Sequence, residues 1–193
     1  RDKDPATLLP LPESDHKETQ AAESISLAVS AIGGLEAAAK IAKKFRDDRR
    51  SKAYAARASE IRRAIGRHLW SDKEDRLITS IKPLNEKPDV AVWWGASIFN
   101  ALDPASEMTR KSVMAAHKLR WRPETGGVIA GIGTPYEAFW VYYTAILLLG
   151  VAAIGNRKAE REILASLDRN VCPQGLIPEQ IGTRTGNLWG TCP

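Results

Sequence analysis

Positions 136–149 are apolar on nearly every side of a helix, with Glu137 the one charged residue, and nothing in the sequence constrains the fold more. A helix of that composition has to be covered by other elements. Thr134-Pro135-Tyr136-Glu137 predicts its start as a capping box, Thr134 as N-cap and Glu137 three residues on, and Gly150 and Gly155 mark its end. The covering elements read as helices too. Ile25, Val29, Ile32, Leu35 and Ala39 recur at helical spacing, as do Tyr54, Ala58, Ile61, Ile65 and Leu69, and later Ala159, Ile163 and Leu167. Gly33-Gly34 either weakens the first of these helices or lets a neighbour approach closely. A short helix is expected within 90–102, around Trp93 and Trp94. Asp103-Pro104 predicts another, with Asp as N-cap and Pro at the first helical position, running to about Leu119. A charged turn is expected at 72–75 and a short extended segment at 77–81.

The expectation is therefore an all-α chain of about six helices in hairpin-like pairs, with no convincing strand pattern. Long loops fall at 82–88, 123–134 and 171–193. Loops of that length within a compact domain are usually functional. In a ring of paired helices they gather at one end.

With 193 residues, 44% hydrophobic and 26% charged, the chain has ordinary globular usage and enough length for a core. No apolar run approaches the ~20 residues of a membrane helix, so no membrane partner is expected. The chain opens Arg1-Asp2-Lys3-Asp4, with no initiator Met or signal pattern, and stops at Thr191-Cys192-Pro193, so it reads as a piece of a longer polypeptide. Cys172 and Cys192 read as free thiols, or as a pair in an oxidising compartment. The net charge is +5, and positions 40–67 hold eleven Lys or Arg against Asp47, Asp48 and Glu60. These alternate with the apolar stripe and read as the solvated faces of amphipathic helices. No zinc-finger, RNA-binding or homeodomain signature accompanies them, and no nucleic-acid partner is expected.

The chemistry points to carboxylates. Gly175-Leu176-Ile177-Pro178-Glu179-Gln180 puts Glu179 directly after a proline in the last loop, and Glu18 lies just before the first helix. Hydrolysis of a glycosidic bond needs two such groups, one protonating the leaving oxygen and one activating water or attacking the sugar. Six Trp residues add aromatic faces on which sugar C–H groups can stack. Trp140 and Tyr136 are the foremost candidates for this, with Trp93, Trp94 and Trp189 behind them, whereas Trp70 reads as core. His16, His68 and His117 are isolated, without metal-ligand spacing, and no nucleophile elbow or phosphate loop is present.

Several stretches, in order, resemble the second half of a glycoside hydrolase family 15 catalytic domain, the glucoamylase family. They are Asp15-His16-Lys17-Glu18, Leu35 to Ala42, Arg67-His68-Leu69-Trp70-Ser71-Asp72, Phe99-Asn100-Ala101-Leu102-Asp103-Pro104, Gly126-Gly127-Val128, Phe139-Trp140, and the run ending Glu179-Gln180. The resemblance implies an (α/α)6 toroid, of which this chain is about half, and an inverting hydrolase of α-linked glucosides such as starch-type oligosaccharides, dextran fragments or trehalose. Glu18 would be the general acid, with Glu13 as the alternative, and Glu179 the general base. Gln180, Trp140, Tyr136 and Trp94 would bind the oligosaccharide. No cofactor is expected, and the missing N-terminal half of the toroid would be the structural partner. The departures are Lys17 and Thr19, where the family has Trp and a second acid, and Ile129-Ala130-Gly131, where it has an Arg-Tyr pair after Gly-Gly-Val. They leave open a catalytically degenerate toroid that binds carbohydrate or a protein. A helical-repeat interaction module is a third reading, but no fixed-period repeat is found.

Overall fold

The computed structural model describes residues 3–11, 23–129, 138–170, 178–182 and 188–191. Among them, six helices form three antiparallel pairs. The first pair is α1 (Ile25–Lys44) with α2 (Asp48–Ala64), the latter prolonged by a π-helical turn over Ile65–Leu69. The second is α3 (Ala91–Ala96) with α4 (Glu107–Arg120), and the third α5 (Val141–Ala153) with α6 (Arg157–Arg169). The odd-numbered helices also touch one another, α1 against α3 and α3 against α5, so they form one row with the even-numbered helices flanking it.

The core lies between these layers. Ile25, Val29 and Ile32 of α1 meet Ile61 and Ile65, Trp93 of α3, Val113 of α4, Leu147 and Val151 of α5, and Ile163 of α6, each at most 1% exposed. Two close approaches depend on glycine. A Cβ on Gly33 would lie 2.6 Å from the Phe99 ring, and one on Gly150 would lie 2.9 Å from Cβ of Trp93. The Gly33-Gly34 pair thus serves close approach at Gly33, while Gly34 faces open space.

The chain is not purely helical, which corrects the all-α expectation. Five short strands form an antiparallel meander: β5 (Trp121–Arg122), β6 (Gly127–Ile129), β7 (Ala138–Trp140), β8 (Pro178–Gly182) and β9 (Leu188–Thr191). Two smaller hairpins precede it, β1 (Trp70–Ser71) with β2 (Arg76–Leu77), turning on the charged 72–75 segment, and β3 (Ser80–Ile81) with β4 (Leu84–Asn85). Parts of the expected loops are therefore paired strands.

Two helix starts also differ. Ser106, not Asp103, caps α4, its Oγ accepting from Thr109 N at 3.2 Å, while Asp103 closes a preceding turn by accepting from Ala105 N at 2.9 Å. The apolar helix begins at Val141, because Ala138–Trp140 pair with β6 and β8 instead. The capping box at 134–137 lies outside the described residues, as do Cys172 and Cys192. Nor is α5 covered all round: Tyr142 is 53% and Leu149 44% exposed. Contrary to the expectation from apolar runs, α1 is long and apolar enough by composition to cross a membrane. Here it spends one face on the core and carries Glu36, Lys40, Lys43 and Lys44 on others.

Candidate active site

The entry to α1 is the best-anchored point at the cleft end. Ser24 caps the helix, its Oγ accepting from Leu27 N at 3.2 Å. Backbone bonds from Ile25 N to Thr79 O (2.9 Å) and from Glu23 N to Lys82 O (3.1 Å) zip this entry to the β3–β4 hairpin. The Glu23 carboxylate is buried; it accepts from Thr7 Oγ1 at 2.7 Å and pairs with Lys82 Nζ at 3.0 Å. Lys82 also reaches Asp4 at 2.9 Å, and that hydrogen bond is the main reason the Asp4 carboxyl is held well below the usual carboxylate range. Glu23 is thus a structural acid that ties the N-terminal arm, the hairpin and α1 together.

Beside this anchor opens a cleft of about 880 Å³. Its walls are rich in hydroxyls, from Ser24, Ser26 and Ser30 of the first helix and Thr79 and Ser80 of the hairpin. Asn85, Lys87 and Asp89 add polar groups, and Trp94 and Tyr143 add aromatic ones. The cleft lies at the N-terminal ends of α1, α3 and α5. Trp94 stacks on Tyr143 with centroids 6.1 Å apart and 30° between planes, and Tyr143 meets Trp140 at 5.5 Å, so the three rings form a strip of which Trp94 and Tyr143 line the cleft.

Two groups here were not picked out from the sequence. Tyr143 stands three residues after Trp140, so helical spacing was the available signal. Burial pushes its phenol up, with Tyr142 and Asp89 adding to the shift. Asp89 precedes α3 and accepts from Ala91 N at 2.8 Å. Burial raises its carboxyl above the ordinary value, opposed by the Ala91 N–H, the Arg120 guanidinium and Thr79. Its signal was Pro88-Asp89 before an apolar helix, the pattern of a capping acid.

The expected site residues fare unequally. Trp94 and Trp140 are brought together through Tyr143. Trp93 is core, fully buried, with Nε1 donating to Val113 O at 3.4 Å, because it faces α4 and not the cleft. Gln180 and Glu179 lie on β8, where the backbone of Gln180 pairs with Trp140 on one side and Trp189 on the other. The expected loop position of Glu179 is therefore a strand position. Glu18, Glu13 and Tyr136 lie outside the described residues. The described residues resume at Glu23, next to Ser24 on the cleft wall. Among the described residues, no three His, Cys, Asp or Glu come together to hold a metal.

No protein-family model and no curated protein matches the chain. Solved structures do. A glycosidase variant superposes with TM-score 0.73 at 21% identity, over 88% of this chain and 45% of that one. A glycosidase variant in complex with glucose gives 0.70 at 20% identity, over 85% and 43%. A sialidase gives 0.65 at 15%, over 90% of this chain and 18% of its own. The fold is glycosidase-like, and the chain spans less than half the length of these structures.

Proposed function

We propose that this chain is part of an inverting glycoside hydrolase of the glucoamylase type, acting on α-glucosidic bonds of oligosaccharides. The observation that carries the reading is the cleft at the N-terminal ends of α1, α3 and α5, walled by hydroxyls and edged by the Trp94–Tyr143–Trp140 strip. A sugar presents hydroxyls at its rim and C–H groups on its faces, and this lining offers partners for both. The row α1–α3–α5 flanked by α2, α4 and α6 suits half of an (α/α)6 toroid, and the length of the glycosidase neighbours leaves room for the rest. The glucose bound to one such neighbour supports a glucoside as substrate.

In this reading Glu18 protonates the leaving oxygen and Glu179 activates the water. Inversion requires the carboxyls about 6.5–9.5 Å apart, so that water fits between. Glu179 must stay ionised; Glu18 must hold its proton near neutrality, which burial or the charge of Glu179 would favour and Lys17 would oppose. Gln180, Tyr136, Trp140 and Trp94 contact the sugar, water is the second substrate, and no cofactor takes part. The remaining half of the toroid supplies further sugar contacts.

One observation favours a second reading, a degenerate toroid that binds carbohydrate or a protein without hydrolysis. Ile129, where the family's Arg would grip sugar hydroxyls, is 7% exposed and pairs with Phe139 in the sheet. The deciding experiment is hydrolysis of maltose, isomaltose and trehalose by the full-length protein beside its Glu179→Gln variant, with the released anomer followed by proton NMR. Release of β-glucose, abolished by that change with folding intact, is expected. No hydrolysis by the folded parent would leave the binding-only reading.

A further inference from the structure

The end of the molecule away from the cleft carries an unusual surface. Positions 40–52 hold seven Lys or Arg against two Asp, a local excess equal to the +5 of the entire chain. Lys40, Lys43, Lys44, Arg46, Arg49, Arg50 and Lys52 are all exposed. Asp47 is already engaged: it caps α2 by accepting from Arg50 N at 2.9 Å and pairs with the Arg50 guanidinium at 3.3 Å. In the middle of these cations stand two bare apolar side chains, Phe45 at 78% and Ile41 at 59% exposure. They are four residues apart at the end of α1, so they share one face of the last turn.

The exposure of Phe45 does not come from a loose turn. Phe45 N donates to Ile41 O at 3.1 Å, Arg46 N to Lys43 O at 3.0 Å and Asp47 N to Ala42 O at 2.9 Å. Arg46 takes the left-handed conformation (φ 59°) that reverses the chain, and Ser51 Oγ ties α2 to Ala39 O at 3.0 Å. The turn is braced, and it holds an aromatic ring out into solvent. The basic residues alone read as a solvated face, but Phe45 and Ile41 do not belong to the buried stripe.

We infer that the α1–α2 turn is a docking knob for an anionic lipid bilayer, with Phe45 and Ile41 entering the boundary between headgroups and acyl chains and the surrounding Lys and Arg pairing with lipid phosphates. An apolar knob ringed by cations satisfies both requirements of such a surface, hydrocarbon contact and charge attraction. A nucleic acid would use the cations but has no place for the aliphatic Ile41. The 20 residues of α1 span about 30 Å, so a protein held by this turn keeps the cleft at the other end of the helix free in solution. The inference does not rest on the glycosidase reading.

Co-sedimentation of the full-length protein with vesicles tests it, using equal parts phosphatidylglycerol and phosphatidylcholine against phosphatidylcholine alone. Binding to the anionic vesicles only, weakened by salt, is expected. The Phe45→Ser, Ile41→Ser double variant should bind at least about tenfold more weakly, and Lys43→Glu with Lys44→Glu and Arg46→Glu should not bind. All five positions are exposed, and far-UV circular dichroism checks that each variant is folded. No binding by the parent overturns the inference, as does equal binding by the Phe45, Ile41 variant. A single-stranded oligonucleotide is the counter-probe: tighter binding to it than to anionic vesicles, indifferent to the Phe45 and Ile41 changes, would make the patch a polyanion site instead.

Discussion

The two ends of the helix pairs are built on different rules. Away from the cleft, the first and third pairs close through residues 45–47 and 154–156, little more than a helical hairpin needs. At the cleft end, α2 reaches α3 through 65–90 and α4 reaches α5 through 121–140, and these connections contain hairpins and sheet strands. The surplus of the first connection, from Thr79 to Val90, walls the cleft opposite the start of α1. One end joins helices; the other end has length to spare for surface chemistry.

That contrast can be broken by substitution, and the largest effect should come from the sheet. A Cβ on Gly127 would overlap the Phe139 ring, so any side chain there must displace that ring, carried by the residue that pairs with Ile129 between β6 and β7. Gly127→Val should lower stability in urea unfolding by about 3 kcal/mol. An unchanged midpoint would mean that the sheet is a pliant covering and not a packed layer.

Next comes Trp94→Leu, which keeps apolar bulk but removes the face stacked on Tyr143. Affinity for maltose, read by titration calorimetry, should fall roughly tenfold, about 1.4 kcal/mol. Asp47→Ala at the opposite end sharpens the comparison from the other side. It removes the N-cap of α2 and should cost about 1 kcal/mol of stability, while leaving maltose affinity unchanged. A change in affinity there would show that the two ends are coupled.

The smallest effect concerns pH. His117 stacks on Trp121 with centroids 6.2 Å apart, and its Nε2 is buried without a hydrogen-bond partner among the described residues. Burial lowers its pKa from the ordinary 6.5, against the opposing charge of Glu162. The folded value lies below the unfolded one, so this contribution is present above pH 6.5 and is lost as pH falls through the folded value. Stability should decline on acidification below pH 6.5 and level off beneath the folded value, and His117→Phe should flatten that decline in urea midpoints. An identical slope in the variant would remove His117 as the cause.

Helix existence was legible because an apolar stripe repeating every three to four residues has one good explanation. The stripes through Ile25–Ile32, Ala58–Leu69 and Ala159–Ile163 lie where that spacing put them, and each helix buries the face it predicts. Helix starts were less legible. Asp103-Pro104 and Ser106 both carry capping chemistry, and only the fold selects Ser106. The strands were barely legible: only the extended segment expected at 77–81 meets strand residues, Leu77 and Ser80–Ile81. At two to five residues they are too short for an alternating pattern, and their partners lie up to dozens of positions away, as β7 with β8.

By itself, then, the sequence determined three amphipathic helix pairs, the apolar character of α5 and a set of carboxylate and aromatic candidates, since these are properties of residue type and local spacing. Tertiary structure alone decided which aromatics meet. Trp93 and Trp94 are neighbours in the chain, yet one is sealed against α4 and the other lines the cleft. It also decided that Phe45, apolar like the stripe before it, stands in solvent while Val29 does not. The physical reason is that burial belongs to the packed assembly of helices, and a residue's own character says only what burial would be worth.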